Sequence, residues 1–173
     1  FDHDGLIDLL LSNPRLGRTT VYQNVGGGEF REILNCRGWD SNPNVICDLN
    51  NDGLLDVVVG GPTNTEITVF LNKTADPGRF ARIAPRMESP NPYAVDAVVS
   101  IFAAGGLAEK EAKPLHIHKA NWDGTPIHLG LGNREEYDLR IEFPGGKQVE
   151  HAKVASNKGV RVTPDGKIVY EEF

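Results

Sequence analysis

Residues 2–8, Asp-His-Asp-Gly-Leu-Ile-Asp, return as residues 50–56, Asn-Asn-Asp-Gly-Leu-Leu-Asp, an offset of 48 positions. The same offset lays Pro14 on Pro62, Val21 on Val69, Tyr22 on Phe70 and Asn24 on Asn72. With a two-residue slip, Gly28-Glu-Phe30-Arg-Glu-Ile33 matches Gly78-Arg-Phe80-Ala-Arg-Ile83. One structural unit is therefore written twice, and a repeated unit must bury its apolar side against a neighbour. The unit reads as a polar loop, an apolar strand (6–11; 54–59), a turn and an alternating strand (20–25; 67–72). A glycine-rich hairpin and a short strand ending in Phe and Ile complete it.

The loop carries the chemistry. Asp48, Asn50 and Asp52 alternate, Gly53 allows the positive φ of a tight turn, and Asp56 returns a further oxygen. With the Leu54 carbonyl they form a set of hard oxygen donors of the kind that binds Ca²⁺ at roughly 2.3–2.6 Å. An EF-hand is the wrong reading, because its twelfth position requires a bidentate Glu and here is Val59. The residues after Gly53 are also β-rich, so the loop feeds a strand. An Asn/Asp turn without metal is the plain alternative, although clustered carboxylates repel one another when no cation is present. In the first copy Asp2, Asp4, Asp8 and the Leu6 carbonyl take the matching places, and the first ligand would precede residue 1.

These residues resemble the FG-GAP/VCBS repeat family, whose loop runs Asp-x-Asp/Asn-x-Asp-Gly-x-x-Asp before a β-strand, over residues 1–84. The resemblance implies calcium-stabilised propeller blades in an extracellular or periplasmic, secreted protein, used in adhesion and in binding protein or glycan ligands. Propellers typically have about four to eight blades. Two fit here, the first truncated, so the chain is expected to be the C-terminal piece of something longer or to have its blades completed elsewhere.

Residues 84–92, Ala-Pro-Arg-Met-Glu-Ser-Pro-Asn-Pro, hold three prolines and read as a linker, placed at 85–92. Residues 93–173 change rhythm. Tyr137-Asp-Leu139-Arg-Ile141-Glu-Phe143 alternates cleanly, as a half-buried strand of an antiparallel sandwich does. Asp123-Gly124, Pro144-Gly145-Gly146 and Pro164-Asp-Gly166 signal hairpin turns. Val95-Asp-Ala-Val-Val-Ser-Ile101, His128-Leu-Gly-Leu-Gly132, Leu139-Arg-Ile-Glu-Phe-Pro-Gly-Gly146 and Asn157-Lys-Gly-Val-Arg-Val162 are similar to the ASPIC/UnbV domain. That family usually shows Ile-Gly-Ala where this chain has Val95-Asp96-Ala97, and Trp-Pro-x-Gly where it has Phe143-Pro-Gly-Gly146. The expected fold class is all-β, with calcium-binding FG-GAP-type propeller blades (1–84) followed by a small antiparallel β-sandwich-like domain (93–173).

A net charge of −6 argues against an electrostatic grip on nucleic acid. The longest nearly apolar run, 97–108, is too short to span a bilayer. Cys36 and Cys47 flank a ten-residue loop, and are either a disulfide of an oxidising compartment or two buried thiols. Asn72-Lys-Thr74 is a formal glycosylation sequon, meaningful if the protein is exported. His116 and His118, two apart on a strand, share a face, and with His128 they suit zinc or iron; a solvated sheet face with scattered imidazoles is the bland reading. Trp39, Trp122 and Tyr93 are singly placed aromatics, suited to sugar stacking or to ordinary packing. No nucleophile elbow, phosphate loop or dinucleotide fingerprint is present. The sequence thus predicts a non-catalytic, calcium-binding β-protein for recognition, adhesion or structural assembly, with self-association through exposed strand edges as a variant. The competing class is a secreted polysaccharide-acting enzyme, whose site would lie in further blades or at the three histidines.

Overall fold

Gly27 and Gly28 both sit at positive φ, 65° and 84°. A two-residue type I′ turn requires that pair of dihedrals, and glycine adopts them without strain. The turn joins β2 (Arg18–Gly26) to β3 (Glu29–Arg37), while β1 (Leu9–Asn13) pairs with the other edge of β2. A second antiparallel sheet has the order β4 (Asn44–Cys47), β5 (Asp56–Gly60), β6 (Ile67–Phe70). The computed structural model describes residues 1–13, 15–37, 44–60, 67–109 and 112–171.

The 48-residue offset holds at the level of single pairs. Leu9 faces Tyr22, Leu10 faces Val21 and Leu11 faces Thr20. Val57 faces Phe70, Val58 faces Val69 and Val59 faces Thr68. Thus β1 and β2 correspond to β5 and β6, with β3 added on one side in the first sheet and β4 on the other side in the second. Among the described residues each of the two sheets has three strands. Val21, Val57 and Val59 form the buried core of this part, with Phe1, Leu10, Leu34, Cys36 and Phe70 packed against them. A closed propeller is not formed among the described residues.

The chain divides into two compact units, Phe1–Pro77 and Gly78–Phe173. The division falls before the expected linker, because β7 (Arg79–Pro85) belongs to the second unit. β7 pairs antiparallel with β10 (Ile127–Gly132) and parallel with β13 (Lys158–Val162). With β14 (Ile168–Glu171) these make a mixed sheet, order β10-β7-β13-β14. The wholly antiparallel reading of this domain is corrected by that one parallel pair. Nor are residues 85–92 a linker. The Arg86 amide donates to the Val162 carbonyl (2.9 Å) and the Met87 amide to the Pro92 carbonyl (3.1 Å).

The other sheet, β12-β11-β8-β9, is antiparallel and uses β8 (Val98–Ala103), β9 (His116–Lys119), β11 (Glu136–Glu142) and β12 (Gln148–Ala155). Its alternation puts Val99, Ile101, Leu139 and Ile141 in one core with Ala81, Ile83, Leu129, Leu131, Val160 and Val162 of the mixed sheet. Each such aliphatic side chain contributes about 1.5–3 kcal/mol on burial, so this sandwich is the better-cored of the two units. Pro144-Gly145-Gly146 and Pro164-Asp165-Gly166 turn hairpins as predicted, closed by Phe143 to Lys147 (2.8 Å) and Thr163 to Lys167 (3.1 Å). Asp123-Gly124 does turn the chain, with Gly124 at φ 72°, yet it makes no hairpin. β9 pairs with β8 and β10 with β7, so that turn carries the chain from one sheet to the other. Among the described residues Gly106–Ala108 is the one helical segment, and no helix is long and apolar enough to cross a membrane.

Candidate functional site

Both Asp/Gly loops share their backbone turn and the two amide bonds that hold it. His3 and Asn51 take the left-handed region (φ 61° and 56°), and Gly5 and Gly53 follow at 95° and 87°. The Asp4 amide donates to Asp2 Oδ1 (3.3 Å), and the Asp52 amide to Asn50 Oδ1 (3.1 Å). The Leu6 amide donates to Asp4 Oδ1 (2.7 Å), and the Leu54 amide to Asp52 Oδ1 (2.9 Å). In the second loop Asp48 also accepts the Asp52 and Gly53 amides, at 3.2 and 3.0 Å. Short side chains that accept amides two residues on are what hold a chain in such a turn.

The last carboxylate of each loop works differently. Asp56 is fully buried. Its Oδ1 accepts the Asn72 amide (2.7 Å) and its Oδ2 the Leu49 amide (3.0 Å). Asp8 accepts the Asn24 amide (2.7 Å) and the Phe1 nitrogen, the equivalents at the same offset. The asparagines close the latch: Asn24 Nδ2 reaches the Ile7 carbonyl and Asn72 Nδ2 the Leu55 carbonyl, both at 3.2 Å. Their Oδ1 atoms accept the Gly26 and Thr74 amides, both at 3.0 Å. This latch ties the loop to the end of the second strand, and the sequence reading did not anticipate it. Its one visible trace was the retention of Asn at positions 24 and 72.

The donor set, carboxylate and amide oxygens without nitrogen or sulfur, has the chemistry of a site for a hard cation. Each carboxylate oxygen that accepts one N–H keeps a second lone pair. Among the described residues no three His, Cys, Asp or Glu side chains converge to hold a metal. The two loops differ electrostatically. Desolvation raises the Asp4 carboxyl above its usual value against the Leu6 amide, and the charges of Asp2 and Asp8 raise it further. Asp52 is held below its usual value, first by the Leu54 amide and then by the Asn50 side chain.

Of the other candidates, Cys36 on β3 and Cys47 on β4 are partly buried free thiols, Cys36 Sγ lying 3.5 Å from the Thr19 carbonyl. Asn72 of the sequon donates from Nδ2 to the Phe1 and Leu55 carbonyls, so the atom a glycan would take is already committed to the latch. His116 and His118 stand on β9, ring centroids 6.4 Å apart, and His116 Nε2 lies 3.1 Å from the Gly130 carbonyl. Burial pushes both imidazoles below their usual value. His128 is on β10, in the other sheet, and stacks on Phe80 at 4.9 Å. The three imidazoles therefore share no metal-binding cluster. Trp122 is exposed, Tyr93 carries Arg86 over its ring at 5.4 Å, and Trp39 lies outside the described residues.

Residues 1–59, which take in both loops and most of β5, match the FG-GAP-like repeat family. No curated protein matches the chain.

Proposed function

We propose that the first unit is a calcium-pinned recognition module of an exported protein, acting on protein or glycan partners without catalysis. The carrying observation is the duplication of the loop and its latch at an offset of 48, down to equal hydrogen bonds at Asp8 and Asp56. Two loops of different sequence that keep one bonding scheme are under one physical demand. A hard cation is that demand, and the raised Asp4 carboxyl, crowded by Asp2 and Asp8, is the kind of group it relieves. Ca²⁺ would be held by Asp48, Asn50, Asp52, Asp56 and the Leu54 carbonyl in one loop, and by Asp2, Asp4, Asp8 and the Leu6 carbonyl in the other. When bound it supplies charge neutralisation, and its binding energy adds to folding. The family match supports the extracellular adhesive setting. The second unit is taken as ASPIC/UnbV-like, on the support of its similar segments, which lie on β8, β10, β11 and β13. The enzyme alternative has no matching support, since its three histidines do not cluster among the described residues.

Isothermal titration of the full chain, stripped with chelator, tests the reading. Calcium uptake is expected, with a rise in melting temperature, and Asp52→Ala should remove one site without unfolding the chain because Asp52 is exposed. Unchanged uptake in Asp52→Ala, or none in the parent chain, refutes it.

A further inference from the structure

Three tight turns of the second unit border one open groove of about 660 Å³. They are residues 87–91 after β7, the turn ending at Lys147 between β11 and β12, and the turn 163–167 between β13 and β14. Each wall is closed by its own backbone bonds. The Asn91 amide donates to the Glu88 carbonyl (3.2 Å), and Asn91 Oδ1 accepts the Val95 amide (2.9 Å). The Lys147 and Lys167 carbonyls accept the Phe143 and Thr163 amides, at 2.8 and 3.1 Å, so both lysine side chains leave from fixed backbone. Small-ligand sites span roughly 300–1,000 Å³, and a groove made of fixed turns loses little freedom when it is filled.

The charges of the groove select its ligand. Lys147 and Lys167 bring two ammonium groups, both exposed and neither in an ion pair among the described residues. Glu88 and Asp165 bring two carboxylates, and Asp165 Oδ1 is fixed by the Thr163 hydroxyl and the Lys167 amide. Met87, Pro90 and Pro164 add apolar surface. The lining carries no net charge, so a polyphosphate would meet two carboxylates and a polycation two ammonium groups. A ligand with one carboxylate among many hydroxyls meets neither penalty. Ammonium groups take its carboxylate, and carboxylates accept from its hydroxyls. We infer that the groove binds a uronic-acid residue of an acidic glycan, with its carboxylate on Lys147 and Lys167, its hydroxyls on Glu88 and Asp165, and a C–H face of its ring on Pro90 and Pro164. The site lies outside the calcium loops and needs no cation, so it stands or falls apart from them.

Titration calorimetry on the full chain in chelator tests it, with short oligomers of galacturonate, glucuronate and mannuronate as probes. Chelator is needed because uronate oxygens bind calcium themselves and could bridge to the first unit. At least one oligomer should bind about tenfold tighter than the neutral oligomer of the same sugar, and salt should weaken it. Triglutamate, which has the charge without the hydroxyls, should bind no better than the neutral sugar. Lys147→Gln combined with Lys167→Gln should bring the uronate down to the neutral oligomer. Circular dichroism checks that fold, and either lysine replaced singly, with part of the preference lost, serves should the pair unfold. Amide shifts on binding should cluster at residues 87–91, 147 and 163–167. Absence of binding by all three uronates, a preference that survives loss of the lysines, triglutamate binding as tightly as uronate, or shifts confined to the first unit overturns the inference.

Discussion

Asp56 is the residue whose loss the structure makes most expensive in the first unit. Asp56→Ala removes both acceptors from the Asn72 amide at 2.7 Å and the Leu49 amide at 3.0 Å. An amide left unsatisfied in a buried place costs about 1–3 kcal/mol. The Asn72 amide sits in that position, since its acceptor is fully buried. Leu49 is half exposed, so water restores most of its bond. The sum is about 2–4 kcal/mol, a large share of the ~5–15 kcal/mol that holds a domain. Asp56→Asn keeps one acceptor and turns the other into a donor facing an N–H, and it should fall between parent and Asp56→Ala. Urea unfolding followed by circular dichroism, in chelator so that no cation contributes, measures the loss. Hydrogen exchange at the Asn72 amide then locates it. A midpoint shift worth less than about 0.5 kcal/mol, or an Asn72 amide that stays protected in Asp56→Ala, would refute the latch.

Gly124→Ala should destabilise the second unit by about 1–3 kcal/mol. The added Cβ meets Tyr93 Cδ1 at 2.4 Å and Cγ at 2.9 Å, so the whole ring must move, and φ is 72°; an unchanged urea midpoint would count against that packing. Acidification should weaken the fold in a defined window. Burial lowers His116, His118 and His151 from the ordinary 6.5. Below that value the unfolded chain binds protons that the folded chain resists, so stability present above pH 6.5 declines as pH falls toward the lowered folded values. Denaturation midpoints at several pH values should show this, with a shallower decline in His116→Gln; an equal slope would place the dependence elsewhere.

What the sequence revealed and what it hid divide by range. The loops were legible because Asp, Asn and Gly at fixed short spacing dictate their own turns, and His3, Gly5, Asn51 and Gly53 take the dihedrals such turns need. The donors that latch them were not, because the Asn72 amide reaches the Asp56 carboxylate from 16 residues away. The hairpins at Pro144-Gly145-Gly146 and Pro164-Asp165-Gly166 were read correctly, each joining strands adjacent in the chain. Asp123-Gly124 has the same turn chemistry, yet its flanking strands pair elsewhere, which no local signal records. β7 was assigned to the repeat on the pattern of Phe80 and Ile83. An apolar alternation fits a blade and a sandwich equally well, and only pairing with the distant β13 separates them. Proline density at 85–92 likewise marked turns rather than a tether, once Arg86 and Met87 had found carbonyls.

β7 has a practical side for whoever handles the two units separately. It is an inner strand, flanked by β10 and β13, and it supplies Ala81 and Ile83 to the shared interior. A scissile site or cloning junction near residue 85, where the prolines invite one, would leave the downstream piece with a slot between two strands and its hydrophobic filling open to water. A junction between Pro77 and Gly78 keeps that strand with the partners that dry it.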